Sequence, residues 1–205
     1  MAADPSEFTE AERQLFVTDH LKDLKTPTRL RYGVSRRGSL QSELNESAEL
    51  SLSAQNGKTV SQVRFMSGEN KLELPPITDV KSNPILLYFL EREIREMNRL
   101  TGGSVNYYRK RIRIALATEP DVQDIQVDNK GVSVAAKRIR ITPYVDDPAR
   151  SRYEKFATRG YEMVLSPHVP GGIVSLHSTL YAPGDVQDDS TLLWSETVSF
   201  DGQTD

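Results

Sequence analysis

The middle of this chain constrains its fold most, because it is helical while the sequence on both sides alternates between polar and apolar residues. Residues 83–118 predict two consecutive helices. The flanking segments, 28–77 and 122–200, carry the alternation typical of antiparallel strands. Strands, a helical insertion and strands again favour a curved sheet covered by helices. We therefore predict one α+β domain over residues 1–205: a half-open, barrel-like antiparallel sheet of roughly seven to nine strands, with both helices packed on its concave face.

The two ends of the chain carry weaker signals. Residues 9–24 have helical spacing, and Thr9 and Glu12 have the positions of a capping box, which predicts a short N-terminal helix. Residues 1–8 and 202–205 are expected to be disordered, as chain ends often are.

Asn56-Gly57 gives the clearest local prediction, because a two-residue hairpin turn of this type needs positive φ at both positions. The turn sets the hairpin register, so that Gln55 is predicted to pair with Lys58. The apolar residues of the hairpin then share one face, and this row consists of Ala48, Leu50, Leu52, Ala54, Val63 and Phe65.

The helical insertion has marked boundaries. Asn83-Pro84 is typical of a helix start and Gly102-Gly103 of a helix end. Residues 104–117 predict a second helix, but a strand stays open because Arg111-Ile112-Arg113-Ile114 also alternates. The first helix is predicted to turn an apolar stripe toward the sheet: Leu86, Leu87, Leu90, Ile94, Met97 and Leu100. Its charged residues are predicted to form a solvated, ion-paired face: Glu91, Arg92, Glu93, Arg95, Glu96 and Arg99.

Composition excludes several classes of function. Hydrophobic residues make up 37% of the chain, charged residues 27%, and the net charge is −3. No global basic field exists to attract nucleic acid, so we predict no nucleic-acid partner. The absence of cysteine excludes disulfides, thiolate metal sites and cysteine nucleophiles. No apolar run reaches the ~18 residues that a membrane-spanning helix needs.

The first residues bear on the compartment. Met1-Ala2-Ala3-Asp4-Pro5-Ser6 contains neither the basic nor the apolar region of a secretory signal. Small residues followed by Asp-Pro resemble the start of an exported protein after cleavage or replacement of its signal. We predict a periplasmic or otherwise exported, lipoprotein-like protein, and a cytoplasmic protein is the alternative.

The order of elements resembles the lipoprotein-carrier type of periplasmic protein over most of the chain. That resemblance implies a half-open antiparallel barrel, plugged by helices, that accepts acyl chains. The sequence departs from a continuously apolar concave face, because the inward row of the hairpin also contains Thr59, Ser61 and Ser67.

The leading hypothesis is a non-enzymatic cell-envelope protein that binds a lipid or another apolar ligand, or docks on a protein partner, between sheet and helices. No cofactor is predicted, and the oligomeric state stays open. The residues predicted to contact the ligand are Leu50, Leu52, Phe65, Leu87, Leu90, Ile94 and Met97.

A basic run beside two tyrosines gives a second prediction. Residues of this kind can lie at an anionic membrane surface, with the aromatic rings at the level of the headgroups. A solvated cationic helix face is the alternative. The run consists of Arg109, Lys110, Arg111 and Arg113, next to Tyr107 and Tyr108.

Two other functions remain open. A hydrolase would pair Ser166 or Ser175 with His168 or His177, although the chain contains no Gly-x-Ser-x-Gly turn. The histidines form no local metal-ligand set, so no metal site is predicted. A structural subunit of an assembly is the other alternative.

Overall fold

The structure, a computed structural model, describes residues 8–118, 120–184 and 187–204. Residues 1–7 and Asp205, which belong to the ends expected to be disordered, lie outside these ranges. The helical elements are α1 (Glu10–Glu12), which continues into a π-helical turn (Arg13–Val17), α2 (Ile85–Thr101) and α3 (Val105–Thr118), with three-residue 3₁₀ turns at Gly68–Asn70, Arg150–Arg152 and Glu154–Phe156. The strands are β1 (Thr28–Arg37), β2 (Leu44–Gln55), β3 (Lys58–Phe65), β4 (Ile77–Thr78), β5 (Asp121–Asn129), β6 (Val132–Ile141), β7 (Gly160–Leu165), β8 (Ile173–Tyr181) and β9 (Leu192–Thr204).

The strands of the described residues form one nine-stranded antiparallel sheet in the order β4-β3-β2-β1-β9-β8-β7-β6-β5. The first and last long strands, β1 and β9, are therefore neighbours at its centre. The helical insertion lies between β4 and β5 in the chain, and these strands are the two edges of the sheet. The helices thus connect one edge to the other across the concave face. The predicted α+β class is confirmed.

The predicted hairpin turn at Asn56-Gly57 is confirmed. Gln55 pairs with Lys58 as predicted, and Asn56 and Gly57 have φ values of 51° and 75°. The second hairpin joins β5 to β6 through Lys130 and Gly131, with φ values of 56° and 84°. Positive φ at both central residues gives these turns the twist that the flanking strands require.

Two end predictions are corrected. Gly202, Gln203 and Thr204 are ordered strand, because β1 offers them a pairing edge: Leu30 lies opposite Gln203 and Arg29 opposite Thr204. The N-terminal helix ends at Val17 rather than at residue 24. Its predicted capping box is present, with the side chain of Thr9 accepting from the Glu12 amide and the Glu12 carboxylate accepting from the Thr9 amide.

Residues 105–118 are helix, which settles the alternative left open for that segment. The start of α2 is also as predicted, since the Asn83 side chain accepts a hydrogen bond from the Ile85 amide at 3.1 Å. Gly102 ends α2 in a left-handed conformation at φ 71°.

Aromatic side chains fill the space between sheet and helices. The rings of Phe65 and Tyr88 stack with their centroids 5.9 Å apart, joining β3 to α2. Tyr144 lies edge-on to Tyr108 of α3 and to Tyr161 of β7. The largest fully buried aromatic side chains are Trp194, Tyr32, Tyr88, Tyr108, Tyr144, Phe65 and Phe89.

Candidate functional site

A cavity of about 590 Å³ lies between α2, α3 and the N-terminal segment. Its volume is within the roughly 300–1,000 Å³ typical of small-molecule sites. We call it the helical groove, and it is lined by Phe8, Glu12, Phe16, Leu74, Leu87, Leu90, Glu91, Ile94, Arg109, Ile112, Arg113 and Leu116.

The groove arises from the spacing of side chains on its two helices. On α2 it uses residues 87, 90, 91 and 94, and on α3 residues 109, 112, 113 and 116. Positions three, four and seven apart lie on one face of a helix, so each helix turns one stripe toward the groove. Leu90, Ile94, Ile112 and Leu116 are buried and form its floor, whereas Leu87 and Phe16 are each 37% exposed at its rim.

The N-terminal segment is fixed over the groove at several points. The Thr9 hydroxyl donates to the Leu116 carbonyl of α3 at 2.8 Å. Ala11 and Leu15 are fully buried. The His20 ring accepts from the Asn83 amide through Nδ1 and bonds the Gln14 carbonyl through Nε2, at 3.1 and 2.8 Å. The segment therefore forms one wall of the groove.

The charged groups at the rim are unequally paired. The Glu91 carboxylate accepts from Arg95 at 3.0 Å and from Arg109 at 2.8 Å. Partial burial raises the pKa of Glu91, but these two hydrogen bonds outweigh it and hold the pKa below its usual value. Arg113 is exposed and has no ion-pair partner among the described residues.

The opposite face of α2 carries buried charges, which corrects the prediction of a solvated face for Glu93 and Glu96. Glu93 is fully buried against Arg159, whose Nε donates to one carboxylate oxygen at 2.9 Å and whose Nη2 lies 2.6 Å from the same oxygen as an ion pair. Arg92 donates from Nε to both oxygens of the buried Glu196 at 2.8 and 2.9 Å. The Arg159 guanidinium lies 4.6 Å from the centre of the Trp194 ring, where a cation–π interaction stabilises it.

The Glu196 carboxyl has a raised pKa. Its burial and the neighbouring Glu93 raise its pKa to about 7, although Arg92 opposes the shift. This cluster attaches α2 to the sheet through charge pairs, on the side of the helix away from the groove.

The predicted ligand residues divide between two places. Leu87, Leu90 and Ile94 line the helical groove. The others lie on the sheet side, packed in the core and 0–2% exposed: Leu50, Leu52, Phe65 and Met97. Phe8, Phe16 and Leu74 also line the groove but were not predicted as ligand contacts. The helical spacing of residues 9–24 could have indicated Phe16, and no sequence signal indicated the other two.

The four basic residues also separate. Arg109 and Arg113 reach the groove, whereas Lys110 is exposed outside it. Arg111 turns inward, where its Nε lies 3.0 Å from the buried Asp147 carboxylate in an ion pair and donates to the Pro143 carbonyl at 3.2 Å. Asp147 also accepts hydrogen bonds from the hydroxyls of Tyr107 and Tyr153. Arg111 is therefore held by the protein interior.

Two of the four hydrolase candidates, Ser166 and His177, make side-chain hydrogen bonds to other groups. The Ser166 hydroxyl donates to the Ala135 carbonyl at 2.7 Å and accepts from the backbone amide of His168, not from its ring. Ser175 and His177 lie two residues apart on β8, and the His177 ring bonds the hydroxyl of Ser195 at 3.0 Å. Ser195 is 5% exposed, so its hydroxyl is poorly accessible to a substrate. No hydrogen bond joins a predicted serine to a predicted histidine ring within the described ranges.

The described residues contain no cluster of three or more His, Cys, Asp or Glu residues that fits a metal ion. Among the helices in the same ranges, none has the length and apolar character needed to cross a membrane.

Comparison with known proteins gives distant structural likenesses only. No protein-family model matches the chain, and no curated protein sequence matches it. The lipoprotein LppX from Mycobacterium tuberculosis is 14% identical with a TM-score of 0.36, over 97% of this chain and 95% of that one. LprF from Mycobacterium bovis is 11% identical with a TM-score of 0.36, over 96% and 94%.

A LolA superfamily protein from Nitrosomonas europaea is 12% identical with a TM-score of 0.23, over 99% of this chain and 93% of that one. At these identities and TM-scores, the likenesses do not identify what this chain binds.

Proposed function

We propose that this protein binds a lipid or another apolar ligand in the helical groove, without catalysing a reaction on it. The observation that carries the proposal is the groove itself, a cavity of about 590 Å³ with a largely apolar floor. Leu87 and Phe16 remain 37% exposed at its rim. A bound apolar chain would remove this surface from water, which is favourable by roughly 25 cal/mol per Å².

The tight packing between α2 and the sheet favours the groove, rather than this space, as the binding site. Leu50 and Phe65 are fully buried there, and the stacked pair of Phe65 and Tyr88 occupies the space between sheet and helix. A ligand between sheet and helices would have to displace this packing and the buried ion pairs of Glu93 and Glu196. A ligand in the groove would displace only water.

An exported, cell-envelope location belongs to the same proposal. It is supported by the order of elements, which resembles that of periplasmic lipoprotein carriers. Fractionation of cells that express the native gene tests it, and recovery of the protein only from the cytoplasm would contradict it.

The binding proposal is tested by Leu87→Glu, which puts a carboxylate at the apolar rim. Binding of a fluorescent fatty-acid probe should weaken at least about tenfold, because burying that charge beside the probe is costly. The matched control is Val132→Glu, since Val132 is a 62% exposed apolar residue on β6, outside the groove lining.

Both variants alter exposed side chains, so both should keep the thermal unfolding midpoint of the parent protein within a few degrees. Equal probe affinity for Leu87→Glu, Val132→Glu and the parent would show that the probe does not bind in the groove.

A further inference from the structure

Four charged side chains line the helical groove, and three of them already have protein partners. Glu91 accepts from Arg95 and from Arg109. Arg109 also donates to the Asn106 side chain at 2.7 Å. Only Arg113 lacks a partner among the described residues.

Glu12, the other acid of the lining, forms hydrogen bonds that cap the N-terminus of α1. Its Oε2 accepts from the Thr9 amide at 3.0 Å and from the Thr9 hydroxyl at 3.3 Å. This capping box holds the carboxylate at the helix start. No hydrogen bond or ion pair joins Glu12 to Arg113 in the part of the chain that the structure describes, so one unpaired guanidinium remains beside the apolar floor.

The chemistry of that charge limits what the groove can bind best. A guanidinium forms paired hydrogen bonds with a carboxylate or a phosphate, and these are stronger than hydrogen bonds between neutral groups. The side chains beside it on the floor, Ile112 and Leu116, are aliphatic and buried. A molecule that complements both features has an anionic head and an aliphatic tail.

The size of the groove limits the ligand further. A volume of about 590 Å³ is that of a site for one drug-sized molecule. It is better matched to one aliphatic chain than to the two chains of a diacyl lipid.

We propose, on the basis of the function proposed above, that the ligand is a single-chain amphiphile with an anionic head, a carboxylate or a phosphate monoester. Arg113 binds the head, and the chain lies along Leu90, Ile94 and Leu116. Arg109 lies on the same face of α3 as Arg113 and adds positive charge near the head, while it stays paired with Glu91 of α2. The basic residues at the groove thus select a ligand by charge.

The proposal is tested by calorimetric titration of the intact protein with four probes. Dodecanoate has both head and tail, dodecanol has the tail without the charge, and butyrate and inorganic phosphate provide anions without a long tail. Dodecanoate should bind about fivefold or more tightly than dodecanol, which is the size expected for one partly exposed ion pair. The two short anions should bind far more weakly than dodecanoate.

The variant for this test is Arg113→Gln, with Arg29→Gln as its matched control. Arg29 is exposed on β1 and has no ion-pair partner among the described residues. Arg113→Gln should remove the preference for dodecanoate over dodecanol, because the charged head then loses its guanidinium partner. Arg29→Gln should keep the preference. Added salt should weaken dodecanoate binding to the parent protein more than dodecanol binding.

The outcomes distinguish selection of the anionic head by Arg113 from binding of the apolar chain in the groove. Equal binding of dodecanoate and dodecanol, unchanged in Arg113→Gln, would overturn head selection and leave the apolar groove standing. Butyrate or phosphate binding as tightly as dodecanoate would also overturn it, since the site would then bind free anions. Failure of both long-chain probes to bind would overturn the proposed function, and the inference with it.

Discussion

At the scale of one residue, the buried carboxyl of Glu196 makes the folding stability depend on pH. Its carboxyl is fully buried beside Arg92 and near Glu93, and its pKa is raised to about 7 from an ordinary value of 4.5. Between these two values the folded protein keeps a proton that the unfolded chain has released. Folding stability contributed by this residue is therefore present at low pH and is lost as the pH rises toward 7.

The substitution Glu196→Gln should remove this loss. The difference in unfolding free energy, variant minus parent, should rise by on the order of 1–3 kcal/mol from pH 5 to pH 8. Urea unfolding at pH 5, 6, 7 and 8 measures it. Glu154→Gln, at an exposed glutamate in a surface turn, is the control and should follow the parent. Parallel curves for Glu196→Gln and the parent would contradict the account.

The sequence could not reveal this cluster. Glu93 lies 66 residues from its partner Arg159, and Arg92 lies 104 residues from Glu196. A helix face rich in charges is normally solvated, and only the tertiary structure brings the buried partners to it. Local rules succeeded where the partner was near, as in the capping box of Thr9 and Glu12 and the Asn83 side chain that caps Ile85.

At the scale of elements, one face of α2 packs in the core and another lines the groove. One side packs on the sheet through Phe89 and Tyr88, and the other lines the groove through Leu87. Leu90 lies between them and is 8% exposed. The apolar stripe predicted for this helix is therefore shared between a packed core and an accessible cavity.

This division predicts unequal effects of truncating neighbouring residues. Phe89→Ala should destabilise the protein by ~3–5 kcal/mol, because it leaves a cavity in the core. Leu87→Ala removes a side chain that is 37% exposed and should cost less than ~1 kcal/mol. Chemical denaturation of the two variants at one pH measures both. Equal losses of stability would mean that Leu87 is packed as tightly as Phe89.

Turn chemistry made the strands more predictable than the orientation of the helices. Asn56-Gly57 and Lys130-Gly131 determine local registers through their backbone requirements. The length of the N-terminal helix was overestimated, because the Asp19 side chain accepts from the Leu21 amide and the His20 amide donates to the Lys81 carbonyl. These contacts divert the backbone from helix after Val17.

At the scale of the whole molecule, the central pairing of β1 with β9 places the sheet edges at β4 and β5. The helical insertion crosses between those edges, and the N-terminal segment lies over it. The groove thus forms where the N-terminal segment meets two consecutive helices that are distant from it in sequence. Periodicity predicted the curved sheet and its helices, but it could not show that the cavity lies between helices rather than between helices and sheet.

The location of a bound aliphatic chain distinguishes the helical groove from the space between sheet and helices. Isotope-filtered NMR detects contacts between the protons of unlabelled dodecanoate and the methyl groups of the ¹³C-labelled protein. The account predicts cross-peaks to methyl groups of the groove, on Leu87, Leu90, Ile94 and Leu116. Cross-peaks instead to Leu50, Leu52 and Met97 would place the chain between sheet and helices and contradict the account.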